Sequence, residues 1–350
     1  MLTIKVEPLV ERVISEALAG RPLSDREQLE RLLEIPLFST ESAVLQAASR
    51  QLSEQASNGR AEVHAQVAVN VGPCPRECLF CAFAACHGLF PDQKETPLEY
   101  VLAQARAFEE HGANAIYLMA TGVYPFSRFL ERGSEVRRAL SPETLLIGNV
   151  GDFAYPQAVQ LRDAGFAGVY HAVRLGEGEV TGIPVERRLR TIEAARDAGL
   201  IVGTCVEPVG PEHTTEQLVE SILLARDVHP AFAGAARRIP IPGTALAPYG
   251  MVSEAQMAHL LAVIRLVMPL EVRGHCTHEP SVVGAAGGAN LFWAEAGANP
   301  RDTLERTEEG RGLTVARCRE LFGEADWGCL DGPSGFFCQA PAPVLARYLA

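Results

Sequence analysis

The chain has no run of lysines or arginines, no apolar stretch long enough to cross a bilayer and no leader-peptide pattern. Lys and Arg number 31 against 43 Asp and Glu, giving a net charge of −12. Proteins that bind a duplex or tRNA normally carry a basic face, so nucleic-acid partners are not expected. Arg187, Arg188 and Arg190 do cluster, but on a predicted helix with Glu186 and Glu193, which reads as a solvated face. The longest apolar stretch, 258–270, is broken by His259 and Arg265 and falls short of the roughly 20 residues a spanning helix needs. Acidic residues interrupt the N-terminus early, unlike a signal peptide. Charged residues make up 21% and hydrophobic residues 47%, which rules out a disordered chain and allows a full core. The nine cysteines are odd in number and three fall within eight residues. That usage suits a reducing compartment and metal ligation better than disulfides. A cytoplasmic protein with no membrane partner is expected.

Residues 1–60 read as a helical segment, with apolar spacing of 3 and 4 over 24–33 and again over 41–55. Asn58-Gly59 closes it. An alternating run, 63–71, follows as a strand. Then one unit recurs: a helix ends at a glycine and an apolar strand begins two or three residues later, at Gly112, Gly165 and Gly199. Thr96-Pro-Leu-Glu99, Thr214-Thr-Glu-Gln217 and Ser253-Glu-Ala-Gln256 have the form of capping boxes. Strands are predicted near 65–71, 114–120, 145–150, 167–173, 200–206, 232–238, 269–274 and 289–293. Alternation with helices implies a parallel sheet, and eight strands imply a closed (β/α)8 barrel of TIM type, fold class α/β. The expected division is a helical N-terminal segment over 1–60, a barrel over 61–300 and a C-terminal extension over 301–350. The extension holds one helix, 313–322.

The sequence Cys74-Pro-Arg-Glu-Cys78-Leu-Phe-Cys81 follows the first barrel strand directly. Three closely spaced thiolates can wrap one corner of a cubane iron–sulfur cluster. Three ligands for four irons leave one iron open, as catalytic zinc keeps an open position for its reactant. Two other readings stand beside this one. Zinc would want a fourth ligand, which Cys86 or His87 could supply, and three unliganded core cysteines would be the plainest case.

Here the chain resembles the radical S-adenosylmethionine (SAM) superfamily. The three cysteines match its defining motif, and Phe80 matches the aromatic residue usually found before the last of them. The resemblance implies a [4Fe-4S] cluster and SAM as cofactors. The open iron would bind the amino and carboxylate groups of SAM. One electron would then split the sulfonium, and the resulting 5′-deoxyadenosyl radical would take a hydrogen atom from a substrate. It also implies a one-electron reductant such as flavodoxin or ferredoxin. The helical N-terminus and Asn70 just before the cysteines resemble the biotin synthase group, which includes methylornithine synthase, a hydrogenase maturase and thiamine tyrosine lyase. So do 239–246 and the stretch 286–302, the latter like the biotin and thiamine synthesis associated region. Two departures stand out. Where many relatives have Gly-Gly-Glu after the second strand, this chain has Ala120-Thr121-Gly122. Biotin synthase also carries cysteines on its second, third and sixth strands for a sulfur-donating cluster, and here only Cys205 falls on a plausible position.

Cofactor contacts are accordingly expected from Phe80, Thr121, Gly122, Arg174 and Glu177, the last two beside the ribose or carboxylate of SAM. Arginine suits a carboxylate because it donates two parallel hydrogen bonds. Active residues of barrels gather at the C-terminal rim, which makes Glu207, Arg237, Arg238, His275 and His278 the catalytic or substrate-binding candidates. His275-Cys276-Thr277-His278 is a dense group of ligand types that could bind a metal or the substrate. Two readings of Cys276, Cys318, Cys329 and Cys338 stand side by side: an auxiliary iron–sulfur cluster, or small core residues. The expected function is hydrogen abstraction from a small anionic substrate, leading to rearrangement, cleavage or maturation, in an enzyme of transferase or lyase type. The alternatives are a sulfur-inserting enzyme of biotin or lipoyl synthase type, and a non-catalytic Fe–S or zinc scaffold.

Overall fold

A computed structural model describes residues 5–337 and 345–349. Three helices come first: α1 (Pro8–Leu18), α2 (Arg26–Leu33) and α3 (Thr40–Ser57). Asp25 and Ser39 start the second and third by accepting from Gln28 N–H and Ser42 N–H, and left-handed Asn58 ends the third. Their apolar faces share one core with the helices that surround the sheet.

The sheet contains β1 (Arg60–Ala68), β2 (Ala115–Met119), β3 (Leu145–Asn149), β4 (Gly168–Tyr170), β5 in two pieces (Ile201–Gly203 and Val206–Val209), β6 (Phe232–Arg237), β7 (Gly274–Thr277) and β8 (Leu291–Ala296). All neighbours run parallel. The path begins at the first piece of β5, passes through β4, β3, β2, β1, β8, β7 and β6, and ends at the second piece of β5. Its two ends are thus consecutive stretches of one segment. Ala231 N–H to Val202 O (2.8 Å) and Thr204 N–H to Phe232 O (3.1 Å) carry the ladder across the seam. The curled sheet is a TIM-type barrel, as expected.

The remaining α-helices are α4 (Leu98–Glu110), α5 (Phe126–Ala139), α6 (Tyr155–Asp163), α7 (Val185–Asp197), α8 (Thr215–Asp227), α9 (Glu254–Val267), α10 (Val282–Ala286), α11 (Val315–Glu324) and α12 (Ala346–Leu349). The Thr214 and Ser253 capping boxes form with both reciprocal bonds. The Thr96 box does not. Thr96 N–H is taken by Val69 O, and α4 starts after Pro97 with no side-chain cap. The seventh strand also differs from expectation, running from 274 to 277 rather than 269 to 274. Pro269 O accepts from Val272 N–H and from Arg265 Nη2, so the apolar residues before Gly274 form a turn. The change matters because His275 and Cys276 then lie within the strand instead of on the rim after it.

Strand alternation divides the barrel wall. On β1, Ala61, Val63, Ala65 and Val67 face the helical layer, while Glu62 and His64 face inward. His64 joins Glu62 (2.9 Å) and the Tyr117 hydroxyl (3.0 Å). Tyr117, Tyr170, Phe232, Trp293, Cys205, Cys276 and Phe336 fill the rest of the interior. Gly335 N–H donates to Glu62 at 2.7 Å, so the C-terminal segment plugs the N-terminal mouth of the barrel. The opposite mouth stays open.

Candidate active site

The loop from Cys74 to Cys81 crosses the open mouth and is held by backbone bonds on three sides. Leu79 N–H bonds Val180 O, Gly182 N–H bonds Arg76 O, and Ala82 N–H bonds Pro300 O, at 2.9, 2.6 and 2.9 Å. Left-handed Glu77 (φ 51°) makes the turn, and its carboxylate accepts from Cys86 N–H. Burial pushes the Cys81 thiol up to about 12, with the neighbouring Cys78 adding to it. A cation must therefore displace a proton to bind there.

The geometry separates the readings left open by the sequence. Two sulfurs on one tetrahedral zinc lie about 3.8 Å apart, given metal–sulfur bonds near 2.3 Å. The Cys74, Cys78 and Cys81 sulfurs do not all come within 4.8 Å of one another. Of the two candidate fourth ligands, His87 is not free to join them. His87 Nδ1–H donates to Cys81 O and His87 Nε2 accepts from Ala245 N–H, which uses both ring nitrogens. Cys86 is exposed. A wide set of three thiols with no fourth fits a cluster that keeps one iron open.

Beside the loop lies a cavity of about 1150 Å³, counting its open mouth. Phe80, Thr121, Gly122, Arg174, Glu207, Arg237 and His278 all line it, together with the three cysteines. The loop after β2 presses close to the cysteines. A Cβ on Gly122 would stand 3.7 Å from Cys74 Sγ, and one on Gly151 would stand 2.7 Å from Gly122 O. Asn70 holds this loop by donating to Thr121 Oγ1 (2.8 Å) and accepting from Thr121 N–H (3.0 Å). Arg174 lies 3.6 Å from Glu207 and 3.7 Å from Glu177, and its Nη1 has no hydrogen-bond partner.

Several expected residues sit elsewhere. Glu177 does not line the cavity. It is buried and accepts from Arg174 N–H, Thr181 Oγ1 and Arg188 Nε, so it positions the two arginines. Arg238 turns outward to pair with Glu212, and Arg237 reaches toward Val252 O and Glu254. His275 faces the helical layer, where Nε2 meets Leu261 O at 2.9 Å. The auxiliary set is not assembled among the described residues. Cys276 lies inside the barrel, whereas Cys318 and Cys329 pack on its outer layer, and Cys318 Sγ donates to Trp293 O. Cys338 lies outside the described residues.

Arg188, expected on a solvated face, is instead buried and lines the cavity. It bonds Asp152 (3.1 Å) and Glu177 (3.2 Å), and His171 bonds the same Asp152 (3.2 Å). Burial alone would raise the Asp152 pKa, but His171 and Arg188 outweigh it and hold the carboxyl below its usual range. A second group missed by sequence reasoning joins Arg301 and Arg311 to Glu279 and Glu295. Arg301 meets Glu279 at 2.6 Å and Glu295 at 2.7 Å. Arg311 meets Glu279 at 3.1 Å and also pairs with Glu295. Arg301 and Arg311 hold Glu295 at about 2 against the opposing effect of burial. Five arginines (76, 174, 188, 237 and 301) line the cavity against two glutamates (207 and 295), while Asp152, Glu177, Glu254 and Glu279 pair with them from behind the lining.

Burial, with the Arg265 charge adding to it, lowers the His275 pKa from 6.5 to about 3. The unfolded chain therefore takes up this proton first. The stabilising contribution is complete above about pH 6.5 and shrinks by about 1.4 kcal/mol per pH unit as pH falls toward 3. Urea midpoints at about pH 7.5, 6 and 5 should decline along that course. His275→Asn should flatten the decline, and an unchanged slope would place the titration elsewhere.

The family model for the radical SAM superfamily matches residues 72–225. A biotin synthase from Desulforudis audaxviator is 30% identical over 248 residues, which cover 67% of this chain and 75% of that protein. One from Anaplasma marginale is 25% identical over 309 residues, covering 83% and 94%. Among solved structures, methylornithine synthase aligns with a TM-score of 0.75 at 15% identity, covering 91% of this chain and 97% of that one. The FeFe-hydrogenase maturase HydG from Carboxydothermus hydrogenoformans gives 0.73 at 16%, covering 91% and 78%. These two likenesses are of fold. No described helix is long and apolar enough to cross a membrane. With a relative this similar over three quarters of its length, the chain belongs to the radical SAM superfamily, in its biotin synthase-like group.

Proposed function

We propose that Cys74, Cys78 and Cys81 hold a [4Fe-4S] cluster with one iron open to the cavity, and that the protein uses SAM to abstract hydrogen from a small anionic substrate. When bound, the cluster supplies the electron that splits SAM to a 5′-deoxyadenosyl radical. The carrying observation is the wide three-thiol loop, with His87 committed to Cys81 O and Ala245 N–H, beside an arginine-rich cavity.

The chain's own residues divide the work. The Asn70-braced Thr121-Gly122 loop lies against Cys74 and offers backbone carbonyls and the Thr121 hydroxyl to an amino group. No acid stands at that point. Arg174, whose Nη1 makes no hydrogen bond among the described residues, would take a carboxylate, held in place by Glu177 and Glu207. Phe80 offers an apolar face for the adenine. Across the cavity, Tyr170, Trp293 and Met119 exclude water, and Arg301 offers charge to the substrate. A flavodoxin- or ferredoxin-type donor completes the reading. Sulfur insertion draws no support from β2 and β3, which carry no cysteine.

Anaerobic reconstitution with iron and sulfide should give about four irons per chain. Reduction with SAM present should release 5′-deoxyadenosine. A scaffold protein would bind iron and release none, which would end this reading.

A further inference from the structure

Inside the barrel, beneath the cavity, three metal-ligand side chains meet that the reading above does not use. Cys205 sits at the break between the two pieces of β5. Cys276 points inward from β7, and His278, two residues on, faces the same way. Cys205 and Cys276 Sγ atoms are 3.7 Å apart. One ligand atom from each of the three residues falls within 4.8 Å of the others. His278 Nε2 is buried with no hydrogen-bond partner among the described residues. Its ring is stacked on Trp293 at 4.8 Å and lies 5.5 Å from Tyr170, which hold it in place. A buried polar atom left unpaired is costly, and here a bound cation would remove that cost.

We propose that Cys205, Cys276 and His278 form a mononuclear site for a thiophilic divalent cation such as zinc, with its fourth position open to the cavity. The 3.7 Å sulfur separation matches the bite of about 3.8 Å that one tetrahedral ion with bonds near 2.3 Å demands. The Cys74, Cys78 and Cys81 set, spread beyond that radius, does not match it. A disulfide would explain the two sulfurs but would leave the histidine nitrogen unsatisfied. The ion displaces one proton from each thiol, so the site becomes neutral as it fills: two thiolates, one neutral imidazole and one divalent cation. The His278 ring binds as neutral imidazole, through a nitrogen lone pair. His278 lines the cavity whereas both cysteines lie below it. The open position therefore faces upward, where a water or an oxygen, nitrogen or sulfur donor of the substrate completes the shell. The assignment does not depend on the cluster loop.

The test is metal content. Iron-reconstituted protein is equilibrated anaerobically with zinc, passed over a weak chelator, and analysed for both metals. One zinc per chain in addition to the iron is expected, with two protons released per zinc into a weakly buffered solution. X-ray absorption at the zinc edge should show two sulfur neighbours at about 2.3 Å and one imidazole. C205S/C276S should lose the zinc and keep its iron, which also shows that it folds. C74A/C78A/C81A should keep the zinc. The proposal is overturned if no zinc is retained, if zinc has no sulfur neighbours, if C205S/C276S still holds it, if C74A/C78A/C81A loses it, or if anaerobic protein carries a Cys205–Cys276 disulfide.

Discussion

Changing Cys74, Cys78 and Cys81 together to alanine is expected to reduce reconstituted iron from about four per chain to none and to stop 5′-deoxyadenosine release entirely. The effect is this large because one remaining thiol, Cys86, cannot hold a cluster that needs three, and His87 has spent both nitrogens on Cys81 O and Ala245 N–H. The variant should still fold. What holds the loop is backbone bonding to Val180, Gly182 and Pro300, and none of those bonds uses a sulfur. A metal-free melting temperature within a few degrees of wild type, with no iron bound, is the expected pair of results. Iron that persisted at its full ratio would show that the cluster sits on other cysteines.

The second large effect is on stability. Glu295→Ala should cost about 3 kcal/mol, the lower end of what breaking a buried pair costs, because it leaves the half-buried Arg301 and Arg311 with half their countercharge. Glu295 also accepts from Asn299 Nδ2 at 2.8 Å, a bond lost in the same change. Glu295→Gln keeps the shape and one acceptor and should fall between. Urea denaturation of metal-free protein measures both. A loss below about 1 kcal/mol for the alanine variant, the range of exposed ion pairs, would mean that the four charges do not form one network.

What could be read from the sequence was local. The cysteine spacing, the Thr214 and Ser253 caps and the repeated strand after a helix-ending glycine each depend on residues within a few positions. The barrel follows from counting those units. The seventh strand was misplaced because the apolar residues before Gly274 look like strand, while the turn that claims them depends on Arg265 reaching back from α9. Arg188 was misread because its neighbours Glu186 and Arg190 do form an exposed helical pair, and only the packing of α7 against the strand ends shows that position 188 faces inward. The Glu279, Glu295, Arg301 and Arg311 group and the Cys205–Cys276 pair join residues 6 to 71 positions apart. Cys276 and His278 stand out locally as ligand types two residues apart, but no local pattern joins them to Cys205 or announces the four-charge group.

The arginines lining the mouth have a consequence for capture kinetics. The molecule as a whole carries −12, so an incoming anion meets a repulsive outer field before an attractive inner one. Dissolved salt screens exposed charges over about 8–10 Å at ordinary ionic strength but reaches buried ones far less. Adding salt should therefore weaken the barrier more than the trap. Anionic ligands would then associate faster in moderate salt than in dilute buffer, the reverse of a protein whose whole surface is basic.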